Sequence, residues 1–202
     1  MIVDRYDKDY NCETISVDPK DIKSLTKNYI YYEKIQSKPK VGFAKPKVNS
    51  VKVKPFFDID IYDIKPEVIC DKNFHPLVTR YMNYYKELFQ LIFKDADIAI
   101  SSSHIHDKGE CKKLSFHYVI NNYEYELNEL YEFIMNHPIL SMDDNIDKTI
   151  YTKRPSHYKV NFLGHDNIIF RLLYSYKTHK DKRMKYPHNY DNDLEKHIVS
   201  SI

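Results

Sequence analysis

The sequence is short of glycine and of long apolar runs. Only 3 of its 202 residues are Gly. Neither G-x-G-x-x-G nor G-x-x-x-x-G-K-[ST] occurs, which excludes the common glycine-based loops that cradle phosphates. The same scarcity argues against a Gly-rich β-barrel. No apolar run approaches the roughly 18 residues of a membrane-spanning helix, so no membrane partner is expected.

Cysteines are also few. Cys12, Cys70 and Cys111 are widely separated, and no C-x-x-C motif is present. This usage predicts a reduced, intracellular protein rather than a disulfide framework. The first residues, MIVDRYDKDYNCE, are too acidic and polar for a secretory signal peptide.

The charge is nearly balanced in total but unevenly distributed. The formal net charge is +2, yet residues 34–54 carry seven Lys and no acid. Residues 121–147 carry seven acids and no Lys or Arg, whereas residues 148–190 carry ten Lys or Arg against two Asp. Such segregation is compatible with a basic face for a polyanion and equally with solvated surface charge.

The pattern of apolar residues and breakers predicts a mixture of helices and strands. Asp18-Pro19 is typical of a helix start, and helical or alternating periodicity marks the other elements. Helices are predicted at about 18–36, 75–95 and 127–136, and strands at about 51–62, 97–104, 113–120, 146–152 and 168–177. The strands at 97–104 and 113–120 are expected to form a hairpin around Gly109. Without strict βαβ alternation, an α+β fold with antiparallel or mixed sheets flanked by helices is expected.

The length suits a single compact domain. Within it we expect residues 1–50 to be a helical and basic segment that packs on a core formed by residues 51–202.

The stretch KPFFDIDIYD from Lys54 to Asp63 contains two acids within an apolar strand. Side chains at i and i+2 of a strand share one face, so Asp58 and Asp60 project together. Two like charges side by side repel. Either basic side chains neutralise the pair or a divalent cation does, since Mg²⁺ prefers carboxylate oxygens and substrate phosphates.

A second set of polar residues alternates along the strand at 113–120. Lys113, Ser115 and His117 share one face. A cation, a hydroxyl and an imidazole on one face would suit a triphosphate. The alternative is the solvated face of an amphipathic strand.

Taken with the residues downstream, these motifs resemble those of the archaeo-eukaryotic primase superfamily, especially the primase-polymerases of eukaryotes and large DNA viruses. In that family a strand carries a hydrophobic-Asp-x-Asp/Glu motif, which FFDID matches. A second strand carries Lys-x-Ser-x-His, matched by Lys113, Ser115 and His117. An Asp four residues before a Tyr, then Phe-Arg-Leu and a Lys six residues after the Arg, match the remaining residues: Asp147, Tyr151, Phe170-Arg171-Leu172 and Lys177.

The resemblance implies an RRM-like catalytic core and a role for each matching residue. Asp58, Asp60 and Asp147 would hold two Mg²⁺ or Mn²⁺ ions. Lys113, Ser115 and His117 would contact the phosphates of the incoming nucleotide, with Arg171 and Lys177 completing the anionic pocket. His117 would thereby join the three acids in the catalytic set.

The implied reaction is template-directed nucleotidyl transfer, in which a DNA primase or primase-polymerase makes or extends primers. The implied partners are a single-stranded DNA template, nucleoside triphosphates and a separate helicase or replication protein. The replication compartment of a virus-infected host cell is the location that the resemblance suggests.

Two other functions fit the same residues. One is a non-catalytic module on the same fold that binds single-stranded nucleic acid, which the small size favours. The other is a metal-dependent nuclease, which paired acids and lysines fit loosely. Nucleotide-dependent metal binding distinguishes the first from a primase, and DNA cleavage without nucleotides distinguishes the second.

Overall fold

The fold is α+β and is built from antiparallel strands. A computed structural model describes residues 1–36, 52–65, 75–103, 113–151, 168–179 and 183–200. Two helices are present in these ranges, α1 (Pro76–Ile92) and α2 (Leu127–Asn136). The strands are β1 (Ile2–Tyr6), β2 (Cys12–Ser16), β3 (Ile30–Gln36), β4 (Lys52–Val53), β5 (Phe56–Ile61), β6 (Ile98–Ser102), β7 (Leu114–Ile120), β8 (Tyr125–Glu126), β9 (Ile168–Arg171) and β10 (Tyr186–Pro187).

A four-stranded sheet in the order β2-β1-β3-β9 contains the N-terminal strands. The helix predicted at 18–36 is therefore wrong. Asp18 does cap a helix start, accepting a hydrogen bond from the Lys20 amide at 2.9 Å, but only a 3-10 helix follows, Pro19–Ser24. Further on, Tyr31, Glu33 and Ile35 are buried while the residues between them are partly exposed. That period of two specifies a strand, and its pairing with β9 joins the N-terminal residues to the predicted core.

The second sheet has the order β10-β6-β7-β5, and β4 pairs with β8 in a separate two-stranded ribbon. The strand predicted at 51–62 is divided into β4 and β5, because Pro55 has no amide hydrogen to donate to a ladder. β6 and β7 pair antiparallel, which confirms the predicted strands of the hairpin. Its turn around Gly109 lies outside the described residues.

One face of the second sheet carries the main core. Phe57 of β5 stacks on Phe89 of α1 with ring centroids 4.2 Å apart, and Tyr118 of β7 meets the same Phe89 ring at 5.1 Å. Helix α1 has buried residues at helical spacing, including Tyr85 and Phe89. The predicted helix at 75–95 is confirmed with slightly shorter bounds, and α2 has the predicted bounds. Neither described helix is both long and apolar enough to cross a membrane.

The chain after α2 departs from the predicted strands. Ile146 makes a single antiparallel bridge to Ile59 of β5, and a 3-10 helix, Lys148–Tyr151, follows where a strand was predicted. The strand predicted at 168–177 ends at Arg171. Beyond it the chain folds back, with an antiparallel bridge between Tyr176 and Met184. Residues 152–167, which precede β9, lie outside the described residues.

Val199 and Ser200 form hydrogen bonds that connect the two sheets. The buried Glu33 carboxylate on β3 accepts hydrogen bonds from the Val199 amide at 2.9 Å and the Ser200 amide at 2.6 Å. The Lys54 amide, next to β5, donates to the Val199 carbonyl at 2.8 Å. Residues 199 and 200 therefore link β3 of the first sheet to the residues just before β5 of the second.

Candidate functional site

The face of the second sheet opposite α1 is polar, and the register of β5 with β7 determines its composition. Asp58 lies directly across from His117, and Asp60 lies across from Ser115. The predicted common faces of the two motifs are thus confirmed. The register also brings the two faces together, which the local sequence could not indicate. Ser115 and His117 are buried, and Asp60 is nearly so.

Lys113 neutralises one member of the acidic pair. Its ammonium donates to Oδ2 of Asp60 in a very short ion pair. Burial disfavours the charged lysine, but this hydrogen bond and the Asp60 charge raise its pKa overall. Tyr62, whose ring is 60% exposed, places its hydroxyl 3.5 Å from the same Asp60 oxygen. Of the two explanations for the paired acids, a basic neighbour accounts for Asp60.

Asp58 is left in a different environment. Burial, followed by the charges of Asp60 and Asp147, raises the pKa of this carboxyl to about 7, against the opposing effect of Lys113 and Arg171. Its Oδ1 lies 3.4 Å from His117 Nε2 but makes no hydrogen bond there. A carboxyl with such a pKa is half protonated near neutral pH. A cation bound nearby would favour its ionised form and lower its pKa.

His117 is a buried, neutral imidazole within a cluster of cations. Its ring lies 4.9 Å from the Phe170 ring of β9. Burial lowers its pKa well below the usual range, and four positive charges act in the same direction: Lys185, Arg171, Lys113 and Lys177. Its Nδ1 is buried and has no hydrogen-bond partner among the described residues.

The backbone of Asp147 forms a hydrogen bond with the outer edge of β5. The Asp147 amide donates to the Asp58 carbonyl at 2.9 Å, next to the Ile146–Ile59 bridge. Its Oδ1 accepts from the Thr149 amide at 2.9 Å, at the start of the 3-10 helix. The third acid of the predicted set is thus adjacent to Asp58, with one carboxylate oxygen engaged locally.

Arg171 and Lys177 come from the segment that leaves the first sheet. Arg171 is the last residue of β9 and is buried, and its Nη1 donates to the Arg183 carbonyl at 3.2 Å. The Lys177 amide donates to the Arg183 carbonyl at 3.0 Å, and the Lys177 carbonyl accepts from the Tyr32 hydroxyl at 3.1 Å. Their charges act on His117. The two cations predicted for the anion-binding pocket therefore lie next to the first sheet. Both act on His117, and Arg171 also acts on Asp58.

Three residues of this face escaped the sequence analysis. Ser101 of β6 lies across from His117, and Ser103 places its Oγ 3.4 Å from Ser115 Oγ. Three consecutive serines at the end of an apolar strand were the available signal. Lys185 is buried, with its side-chain nitrogen 3.9 Å from the centroid of the Phe170 ring and 2.7 Å from the Arg171 carbonyl. It sits in a polar, basic stretch, and nothing local distinguishes it from its neighbours.

The donor set suits a hard divalent cation. Oδ1 of Asp58 and Oδ1 of Asp60 are buried without hydrogen-bond partners among the described residues, which is costly unless a ligand compensates. Two carboxylates on one rigid strand are the kind of protein ligand that Mg²⁺ takes together with substrate phosphates. Within the described ranges, no three His, Cys, Asp or Glu side chains form a complete metal-binding group as they stand.

Comparison with known proteins adds no relative. A scan against family models finds no match to this chain, and a search of curated proteins finds no similar sequence. The resemblance of the motifs to the primase superfamily stays a prediction.

Proposed function

We propose that this chain is a metal-dependent, template-directed nucleotidyltransferase: a DNA primase or primase-polymerase that synthesises or extends primers on single-stranded DNA. One observation carries the proposal. The β5–β7 register sets Asp58 and Asp60 against His117 and Ser115 on one buried polar face. Carboxylates that can bind metal cations and hydrogen-bond donors that can bind phosphates thereby share a surface, as phosphoryl-transfer chemistry requires.

The order of elements around the site supports an RRM-like core. The chain runs β5, α1, β6, β7, α2 and then the Ile146 bridge, which adds to the free edge of β5. This is the β-α-β-β-α-β order of ferredoxin-like domains, with the last strand reduced to a bridge. The face opposite α1 is then the open face on which such sheets bind ligands.

The positive groups are arranged to bind the triphosphate of an incoming nucleotide. Lys113 is paired with Asp60 on the polar face, and the charges of Arg171 and Lys177 act on His117 of the same face. Neutral His117 can donate a hydrogen bond without adding charge, and Ser115 supplies a hydroxyl. Cations in a partly buried site bind phosphate oxygens by short, charge-assisted hydrogen bonds.

Asp58, Asp60 and Asp147 are the residues that would hold Mg²⁺ or Mn²⁺. A divalent cation bound there would neutralise phosphate charge and activate the attacking hydroxyl. The unpaired Oδ1 atoms of Asp58 and Asp60 are the proposed ligands. Asp147 would join them by releasing the oxygen that now accepts from Thr149.

The proposed partners follow from the reaction. A single-stranded template would contact lysines and arginines of the basic segments 34–54 and 148–190, most of which lie outside the described residues. Such binding weakens steeply with salt. A separate helicase or replication protein would supply the unwound template.

The test incubates purified protein with Mn²⁺, primed single-stranded DNA and labelled nucleotides. We expect extension by the wild type. In the Asp58→Asn/Asp60→Asn variant, product should fall by more than about 100-fold, because even outer-shell partners of metal sites cost about 10–100-fold. Asp63→Asn is the matched control, since Asp63 is exposed on the same segment and its φ of 59° suits Asn.

The other outcomes identify the alternatives. Equal product from the wild type and the double variant would refute the assignment. Loss of full-length DNA with Mn²⁺ alone would indicate a nuclease. Tight binding of single-stranded DNA with no product, and with no metal-dependent binding of triphosphate, would indicate a non-catalytic module.

A further inference from the structure

Lys185 is a buried lysine that contacts two residues of the candidate site, Phe170 and Arg171. Only 1% of its surface is exposed. Its ammonium donates to the Arg171 carbonyl at 2.7 Å and lies 3.9 Å from the centroid of the Phe170 ring. Lysine is almost never fully buried unless its charge is compensated, so the fold sustains a considerable cost to retain it there.

The groups that Lys185 contacts are those that shape the site. Phe170 places its ring 4.9 Å from the His117 ring and 5.3 Å from the Phe56 ring of β5. Arg171 is the next residue along β9. Burial, followed by the charge of Arg171, lowers the pKa of Lys185 well below its usual range, but the amine donates a hydrogen bond in either protonation state. One side-chain nitrogen therefore contacts both the ring that lies against His117 and the backbone that carries Arg171.

Backbone hydrogen bonds hold Lys185 in place beside residues 174 and 175. The Tyr174 amide donates to the Lys185 carbonyl at 2.7 Å, and the Lys185 amide donates to the Ser175 carbonyl at 3.2 Å. Arg171 Nη1 also reaches across to the Arg183 carbonyl, two residues before Lys185. The returning arm of this segment thus contacts β9 through the side chains of both Arg171 and Lys185.

We propose that Lys185 is a positioning residue for the nucleotide site: it fixes Phe170 against His117 and fixes the backbone at Arg171, so that both groups face the triphosphate. Its functional consequence rests on the function proposed above. In this role Lys185 acts on the nucleotide through the two residues that it contacts, Phe170 and Arg171. A purely structural lysine would instead stabilise the fold without a specific effect on His117 or on nucleotide binding.

The first measurement concerns geometry and needs no activity. In protein with labelled Phe and His rings, a nuclear Overhauser effect between Phe170 and His117 should be present in the wild type. Lys185→Met, which has a similar length but no charge or donor, should lose it. Lys196→Met is the matched control, because the Lys196 ammonium also donates a hydrogen bond, to Asp97 at 2.6 Å, and lies 5.7 Å from the centroid of an aromatic ring, that of Tyr190.

The second measurement concerns nucleotide use. Lys185→Met should raise KM for the nucleotide by about tenfold or more, the lower end of outer-shell effects, with the affinity for single-stranded DNA unchanged. Lys196→Met should leave KM unchanged. If Lys185→Met does not fold, Lys185→Gln carries the same expectation, because it retains a donor toward Arg171 but has no charge over the ring.

The results separate the two proposals. A retained Phe170–His117 effect in the Lys185 variant, or equal KM changes in the Lys185 and Lys196 variants, would overturn the positioning role. If the wild type neither extends primers nor binds triphosphate with Mn²⁺, the proposed function fails, and the ring measurement still decides whether Lys185 positions Phe170.

Discussion

Asp58→Asn should stabilise the metal-free protein at alkaline pH. The folded protein holds this carboxyl at a pKa of about 7, because of burial and the charges of Asp60 and Asp147. In the unfolded chain the pKa returns to about 3.9. Between these values the folded state binds more protons than the unfolded state, so the free energy of unfolding falls as pH rises from about 4 to 7. Asn has no proton to lose and escapes this effect.

The size of the effect follows from the shift. Each pKa unit corresponds to about 1.36 kcal/mol, so a shift of about three units amounts to about 4 kcal/mol. The Asp58 side chain keeps 21% of its surface exposed, and water there reduces the penalty. We therefore expect Asp58→Asn to be about 2–4 kcal/mol more stable than the wild type at pH 8, with little difference below pH 4.

The assay is urea unfolding of the wild type, Asp58→Asn and Asp63→Asn at pH 4, 6 and 8 with a chelator present. Asp63→Asn should follow the wild type, because Asp63 is exposed. Adding Mn²⁺ at pH 8 should stabilise the wild type and not Asp58→Asn, since a ligand that binds only the folded state adds stability by mass action. A stability gap between wild type and Asp58→Asn that does not change with pH would refute the reasoning.

Three further predictions concern two residues that support the sheets around the site and one lysine that lies in it. Glu33→Gln should cost about 1–3 kcal/mol in urea unfolding and speed hydrogen exchange at the Val199 and Ser200 amides; unchanged exchange would contradict the tie between the sheets. Phe89→Ala should cost about 3–5 kcal/mol in urea unfolding, as for large aromatic truncations in cores; a loss below about 1 kcal/mol would contradict the central position of its ring. Lys113→Met should raise the Kd for Mn²⁺–triphosphate, measured by calorimetry, by about tenfold, without weakening the binding of single-stranded DNA; an unchanged Kd would remove Lys113 from the nucleotide site.

Local patterns were sufficient wherever neighbouring residues determine the structure. Helix α2 was predicted with its observed bounds, because its apolar residues repeat at helical spacing. The sharing of one face by Asp58 and Asp60 follows from strand geometry alone. The same local reasoning failed at 18–36, where a genuine cap at Asp18 starts only one short 3-10 helix and β3 follows.

Local sequence patterns could not predict contacts between residues that are far apart in the chain. The pairing of Asp58 with His117 joins residues 59 positions apart, and no spacing rule specifies that register. The third acid was predicted by resemblance, but its approach to Asp58 depends on a single bridge rather than the predicted strand. Lys185 had no signal at all, because its burial results from contacts that residues 183–185 make with residues 171–177.

The most direct test of the account is a crystal structure with Mn²⁺ and a non-hydrolysable nucleoside triphosphate. We predict anomalous manganese density bound by Asp58 and Asp60, with Asp147 turned toward it and the triphosphate against Lys113, His117 and Arg171. Manganese bound elsewhere, or a triphosphate that leaves this face empty, would contradict the central claim.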